Sequence, residues 1–386
     1  MSSLRGTCSL ALSLILVACA GPSPTTLPTT LATARPTTDP STVLPTADLT
    51  PTTAATTRPQ PSGPGTTPPA PTGTPLVGSW VQRTDVVGGP SAREDHTWTV
   101  NEEETIAYLF GGRGPGGASN ELWAFDLVAD SWSQVTQTVD TPIPAPRFGH
   151  TATWVPEVGL VIWSGQAGSS FFDDIWSWDP EAGMWLQLPS LGAVPPARYG
   201  SCASLGPDGE LWISHGFTGD SGRFSDTRSY DFAAGTWTDR TPVDRVPVER
   251  CLHDCYWTPG GQLILYGGQT TGVAALGDIW AFDLASGAWA QGVAPEAPER
   301  QLYALARIGV RSIVFGGGAI DGGFLNDSWL INGDLSLSSV SPIGVLPAAR
   351  SGAALITDRA GRLLLFGGLN GDGALADLWE LPFGAI

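Results

Sequence analysis

From residue 76 onward, six apolar runs recur, each closing on Gly-Gly or a near match: YLFGG to Gly112, LVIWSG to Gly165, LWISHG to Gly216, LILYGG to Gly268, SIVFGG to Gly317 and LLLFGG to Gly368. The closing glycines are 53, 51, 52, 49 and 51 residues apart. A fixed period of this length predicts a repeat architecture. Within one unit the apolar and polar positions predict four strands. The second unit opens Pro146-Arg147-Phe148-Gly149-His150 and continues TATWVP, then turns into GLVIWSG. A polar, glycine-bearing loop leads to DDIWSWD, and a turn at Pro180–Gly183 leads to MWLQL. Each run has ordinary strand length, and none shows sustained helical periodicity with caps. The second run is apolar on both faces, as expected of a strand sandwiched between neighbouring sheets.

The remaining marks of the unit have simple physical roles. The Asp that ends the third run (Asp126, Asp179, Asp231, Asp283) suits capping of the next turn. Trp123, Trp176, Trp280, Trp329 and Trp379 in the third run, and Trp132, Trp185, Trp237 and Trp289 in the fourth, offer large apolar surfaces for packing one sheet on the next. Gly-Gly after an apolar strand, NELWAFD, DDIWSWD, GDIWAFD and NDSWLIN, the later Trp, and Pro-x-x-Arg or a close variant opening the next unit together resemble the kelch family of β-propellers, which includes the central domain of galactose oxidase. The resemblance covers residues 76–386 and implies an all-β, six-bladed kelch-type β-propeller. The third unit departs from the pattern with Ser-His-Gly and with Arg228 in place of the third-run Trp; the fifth lacks the fourth-run Trp and has Asn332 in place of the Asp.

The last unit stops after Leu378-Trp379-Glu380-Leu381, without room for a fourth strand, whereas Gly78-Ser79-Trp80-Val81-Gln82 is an orphan strand 52 residues ahead of its counterpart at Trp132. The N-terminal strand is therefore expected to complete the C-terminal blade and close the ring, leaving only short, protected edges.

Ahead of the repeats, Arg5 and the apolar run Cys8–Ala18 form an export signal too short to span a bilayer. Leu16-Val17-Ala18-Cys19 resembles a bacterial lipobox, which implies residues 1–18 as a lipoprotein signal peptide and a lipid on Cys19. Residues 19–75 are dominated by Thr and Pro and lack the apolar content that offsets chain entropy, so a disordered tether is expected. Stretched as polyproline II, residues 20–75 would reach about 170 Å. The expected localisation is extracytoplasmic, lipid-anchored at a cell membrane.

Charge narrows the function. The chain has 19 Lys+Arg, all of them arginine, against 37 Asp+Glu, for a net charge of −18. Such a chain is a poor nucleic-acid binder, and the absence of lysine excludes Schiff-base chemistry. Of five cysteines, Cys202, Cys251 and Cys255 belong to the folded part. A bridge between the neighbouring units that hold Cys202 and the other two, a bridge within 251–255, and three buried free thiols all remain open.

In a propeller of this topology one face collects the starts of the first and third strands and the ends of the second and fourth. That face gathers one arginine per unit, Arg93, Arg147, Arg198, Arg250, Arg300 and Arg350, and loop residues that include Arg113, Phe171, Phe172, Asp220, Arg223, Phe224, Asp321, Phe324 and Asp372. Arginine pairs with carboxylates by paired hydrogen bonds, so a ring of six would form a positive funnel; their repetition equally fits a structural role inside each unit. Other kelch domains bind partners with this face, so the resemblance makes it the binding surface expected here. His96, His150 and His253 each follow a unit arginine by three residues, but no carboxylate pattern accompanies them, so neither metal nor cofactor is expected. The favoured function is a surface-displayed module that recognises a protein or carbohydrate ligand. The alternative is an extracytoplasmic carbohydrate-active enzyme resembling kelch-type sialic-acid epimerases or oxidases, though no acid–base pair or copper site can be assigned.

Overall fold

The computed structural model describes residues 78–137, 141–219, 222–294 and 297–382. The expected signal peptide (residues 1–18), Cys19, the rest of the expected tether (to residue 75) and Asp220 lie outside the described residues. The described chain is all strand and turn, arranged as six blades around an axis. Blade 1 runs from its innermost strand Thr97–Val100 through Ile106–Phe110 and Leu122–Asp126 to the outer Ser131–Gln134. The innermost strands of blades 2 to 6 are Thr151–Val155, Cys202–Leu205, Asp254–Trp257, Ala304–Ile308 and Ala354–Thr357. Every within-blade pairing of these four strands is antiparallel, with cross-strand partners such as Trp178 and Trp185 in blade 2. In blade 3 the segment Leu191–Gly192 adds a fifth, parallel strand outside Thr236–Asp239.

The core lies between blades. Phe110 and Leu122 of blade 1 pack with Leu160, Ile162, Trp178 and Trp185 of blade 2, and the other interfaces repeat the plan. The apolar second strand is buried because a blade covers each of its faces. The N-terminal strand closes the ring: Val81 pairs with Glu380 and Gln82 with Trp379, antiparallel, at the outer edge of blade 6. Trp80 is 4 % exposed and packs edge-on against Phe315 of blade 5. Arg83 pins this strand by ion pairs to Asp85, Asp130 of blade 1 and Glu380 of blade 6; Arg362 pairs with Asp130 and Asp358.

The Gly-Gly signal has a geometric cause. The second-position N–H donates to the backbone carbonyl of the next blade's arginine: Gly112 to Arg147, Gly165 to Arg198, Gly216 to Arg250, Gly268 to Arg300, Gly317 to Arg350 and Gly368 to Arg93. The series passes from each blade to the next and closes from blade 6 onto blade 1. At Gly112, with φ of 87°, an added Cβ would lie 2.7 Å from the His96 Cβ, so glycine is required both for the backbone and for the approach.

Candidate functional site

The six repeat arginines stand where the topology puts them, but they are not open to solvent. All are 0–2 % exposed. Arg147, Arg198, Arg250, Arg300 and Arg350 each form a two-pronged pair with Asp174, Asp226, Asp278, Asp327 and Asp377, at 2.6–3.1 Å. Arg93 pairs with Glu121. Each guanidinium also donates to the carbonyl of the first Gly-Gly position of its own blade, as Arg250 does to Gly267 at 2.9 Å. In five blades Nε donates to the carbonyl two residues upstream, as from Arg147 to Ala145. The open positive funnel expected of these residues is thus corrected: their donors bind the blade that carries them.

The carboxylate is clamped from a second side. Trp176, Trp280, Trp329 and Trp379 donate their Nε1 to it at 2.6–2.7 Å. In blade 3 Arg228 stands in for the tryptophan and donates Nε to Asp226 at 2.7 Å, which explains the departure seen in the sequence. Burial alone would raise the Asp278 carboxyl, but hydrogen bonds and charge from Arg250 outweigh it and hold it below the usual range.

The loop aromatics serve this clamp too. The Phe172 ring lies 4.2 Å from the Arg147 guanidinium and the Phe224 ring 3.9 Å from that of Arg198, both stacked as cation–π pairs. Phe324 is half-buried opposite Gly318. Arg223 differs from the repeat arginines: it reaches Thr271 at 3.1 Å and lies over Phe217.

Variation is concentrated one residue further on. The residue after each repeat arginine bridges to the residue after each Gly-Gly, and these bridges ring the channel mouth: Glu94 with Arg113, Phe148 with Gln166, Tyr199 with Phe217, Cys251 with Gln269, Gln301 with Gly318, and Ser351 with Leu369. The frame repeats while the chemistry differs in every blade. Arg113 pairs with Glu94 at 2.8 Å and stacks over Phe148, which meets Tyr199 edge-on. Most of these positions are masked in the sequence by the repeated arginine; the signal that marks them is the variable position beside it.

Immediately below the mouth the backbone closes on itself. Asp95, Gly149, Gly200, Leu252, Leu302 and Gly352 all have left-handed φ of 48–64°. Each donates its N–H to the carbonyl of the one before, at 2.8–3.0 Å, and Asp95 donates to Gly352. Tyr199 lies on this ring, where an added Cβ on Gly149 would stand 1.8 Å from its Cε2. Its hydroxyl donates to Asp95 Oδ2 at 2.9 Å. Burial, with the neighbouring Glu94 charge, raises the Asp95 carboxyl to about 6 against the opposing pull of Arg113 and Tyr199.

Beneath the ring lies an axial cavity of about 220 Å³ lined by all six innermost strands and by His96, His150 and His253, each just ahead of its strand. Burial and the nearby arginine keep His96 uncharged, its pKa pushed down to about 3, and burial holds His150 and His253 well below the usual imidazole range. Among the described residues no group of three His, Cys, Asp or Glu is placed to hold a metal. Cys202 and Cys255 form a disulfide between the innermost strands of blades 3 and 4, while Cys251 is a buried free thiol.

The fold and this repeated clamp define a kelch-repeat propeller, a class of protein-interaction module. The chain belongs to the kelch-repeat family: it matches the KLHDC2/KLHL20/DRC7 Kelch-repeats domain over residues 78–259 and 237–384. It is similar to Kelch domain-containing protein 3 of Bos taurus, 28% identical over 59% of this chain and 62% of that protein. It is also similar to Kelch domain-containing protein 1 of Mus musculus, 29% identical over 60% of this chain and 66% of the other. Acyl-CoA-binding domain-containing protein 4 of Arabidopsis thaliana is 26% identical over 73% of this chain and 44% of its own length. The chain thus spans less than two thirds of the length of these relatives.

Proposed function

We propose that this protein binds a protein partner through the mouth of the arginine-bearing face, with Arg113, Phe148, Tyr199, Phe217 and Arg223 as the contact set. One observation carries the reading: a frame that repeats in every blade holds a different side chain at the position after the arginine each time, Glu94, Phe148, Tyr199, Cys251, Gln301 and Ser351. A rigid scaffold that varies at convergent positions supports recognition, because binding residues held in place lose little entropy. The six buried arginines, with Phe172 and Phe224, support the frame that sets the mouth rather than touching the ligand.

The proposal extends to presentation: residues 19–75 tether the propeller, and a lipid on Cys19 anchors it outside the cytoplasm. The support is the run Leu16-Val17-Ala18-Cys19 with its Thr/Pro-rich sequel. Labelled palmitate should enter the chain and be lost in Cys19→Ser; retained label would reject the anchor.

To test the binding face, a displayed peptide library is selected on the immobilised full chain. Selected peptides should bind Phe217→Ala and Arg223→Ala at least tenfold more weakly while Thr357→Ala, at the opposite face, binds normally. Equal binding by all three variants would place recognition elsewhere. The second reading, a carbohydrate-active enzyme, draws support from the raised carboxyls of Asp95 and of Asp254, which burial pushes up to about 7. Epimerisation of N-acetylated sugars that disappears in Asp254→Asn would replace the binding reading.

A further inference from the structure

The axial cavity is chemically lopsided. Its lining contains two carboxylates, Asp95 and Asp254, and no arginine; with no lysine in the chain, its wall carries no permanent cation. It continues past Trp98 and Asp254 into an outer chamber of about 570 Å³ that opens at the face opposite the mouth. Asp95 is 7 % exposed, and its Oδ1 is buried without a hydrogen-bond partner. Its Oδ2 takes the Tyr199 hydroxyl, and Arg113 approaches from the mouth side at 4.0 Å.

Asp254 is less provided for. It accepts the Cys255 backbone N–H at 2.8 Å and forms no ion pair among the described residues. Tyr303 cannot serve it, since that hydroxyl accepts the Asp254 N–H and donates to the Tyr266 carbonyl. Both ring nitrogens of His96, buried and lining the same cavity, also lack partners. Buried polar atoms are ordinarily satisfied; Asp95 Oδ1 and the one acceptor nitrogen of the uncharged His96 ring are unmet on the same cavity, which indicates something that donates.

We propose that the axial cavity binds a small organic cation, a primary alkylammonium, with the Asp254 carboxylate as its principal acceptor and Asp95 as a second. An ammonium group brings three N–H donors and one positive charge, which matches a wall rich in acceptors and poor in cations. A divalent metal is a poorer fit, because the ligating side chains do not converge in threes. The cavity has room for about seven waters at 30 Å³ each, the scale of a short alkylamine rather than a peptide. The outer chamber suits entry of a cation, because Glu102 and Glu104 line it. Its one arginine, Arg307, is already committed to the carbonyls of Trp257 and Gly309 and is stacked on Tyr256.

The test titrates the full chain at pH 8 with n-butylammonium, n-butanol and butyrate, by calorimetry and ligand-observed NMR. Butylammonium should bind at least tenfold more tightly than butanol, and butyrate should not bind. Asp254→Asn should erase the preference for the cation while leaving the melting temperature equal or higher, since a carboxylate without an ion pair among the described residues is replaced by a neutral amide. Binding of alcohol and ammonium alike, no binding, or an undiminished preference in Asp254→Asn would overturn the proposal. If that variant does not fold, a wild-type crystal soaked in butylammonium decides: density beside Asp254 supports the site, and its absence there rejects it.

Discussion

Each repeat arginine uses its charge inside its own blade, and the reason is visible in the residues it meets. A guanidinium held by a two-pronged carboxylate, a Gly-Gly position carbonyl and an upstream carbonyl has its planar donors committed. Removing one side of such a buried pair leaves the other uncompensated, at a cost of about 3–5 kcal/mol. Arg250→Ala should therefore lower the unfolding free energy measured by urea titration by an amount of that size, whereas Arg223→Ala, half-exposed at the mouth, should leave it nearly unchanged. Gly149→Ala tests the mouth itself: with φ of 59° and Tyr199 lying on its Cα, the variant should be destabilised and should release Tyr199, read as a change in tyrosine near-ultraviolet dichroism. The arginine's partner was legible in part. Asp174, Asp226, Asp278, Asp327 and Asp377 recur 27 or 28 residues after their arginines, always two before the Trp or Arg228. A charged pair that repeats together is a sign of mutual neutralisation. The role of Tyr199 was not legible, because its partner Asp95 lies 104 residues away.

At the scale of elements, the closing strand does more than its length implies. Only Val81–Gln82 is regular strand, yet the segment buries Trp80 and carries Arg83 into an ion-pair cluster joining blades 1 and 6. Losing the Trp80 side chain alone should cost about 3–5 kcal/mol. Deletion of residues 76–84 should thus lower the melting temperature and leave the edge of Leu378–Pro382 free to associate, seen as oligomers by light scattering. The strand's place was readable from the sequence because the last unit lacks a strand and the first has one to spare. The Cys202–Cys255 bridge was not, since three cysteines in two neighbouring units allow several pairings. It closes a loop with a sequence separation of 53 and should stabilise by about 4 kcal/mol on the loop-entropy scale. A thiol reagent should find no reactive cysteine in the folded propeller and one, Cys251, after unfolding without reductant. Two or more would contradict this pairing.

For the whole molecule, burial of titratable groups ties stability to pH. His96, His150, His215 and His253 are held uncharged in the fold, whereas the unfolded chain protonates them as pH falls below about 6.5. That change binds more protons to the unfolded state and removes stability on acidification. Asp95 and Asp254 act oppositely, because their raised carboxyls stay protonated in the fold at pH 5 while the unfolded chain has lost those protons. Four histidines against two carboxyls leave a net of about two protons, so stability near pH 5 should fall by about 2.7 kcal/mol per pH unit of acidification. Thermal melts from pH 7 to pH 5 should show the decline, and His253→Gln should make it shallower. A melting temperature that rises toward pH 5 would contradict it.

What the sequence determined by itself was the architecture. The Gly-Gly period, the apolar second strand and the spare N-terminal strand are each local patterns, and burial between blades follows from them because every blade meets the same neighbours. Which side of a blade a charge ends on was decided only by the tertiary structure. The arginines lie at the expected face yet are buried, since their carboxylates fold back over them from the third strand. The ring of left-handed backbone, the Tyr199 bond to Asp95 and the acceptor-rich axial cavity exist only once six separate segments converge on one axis, and no single unit carries that information.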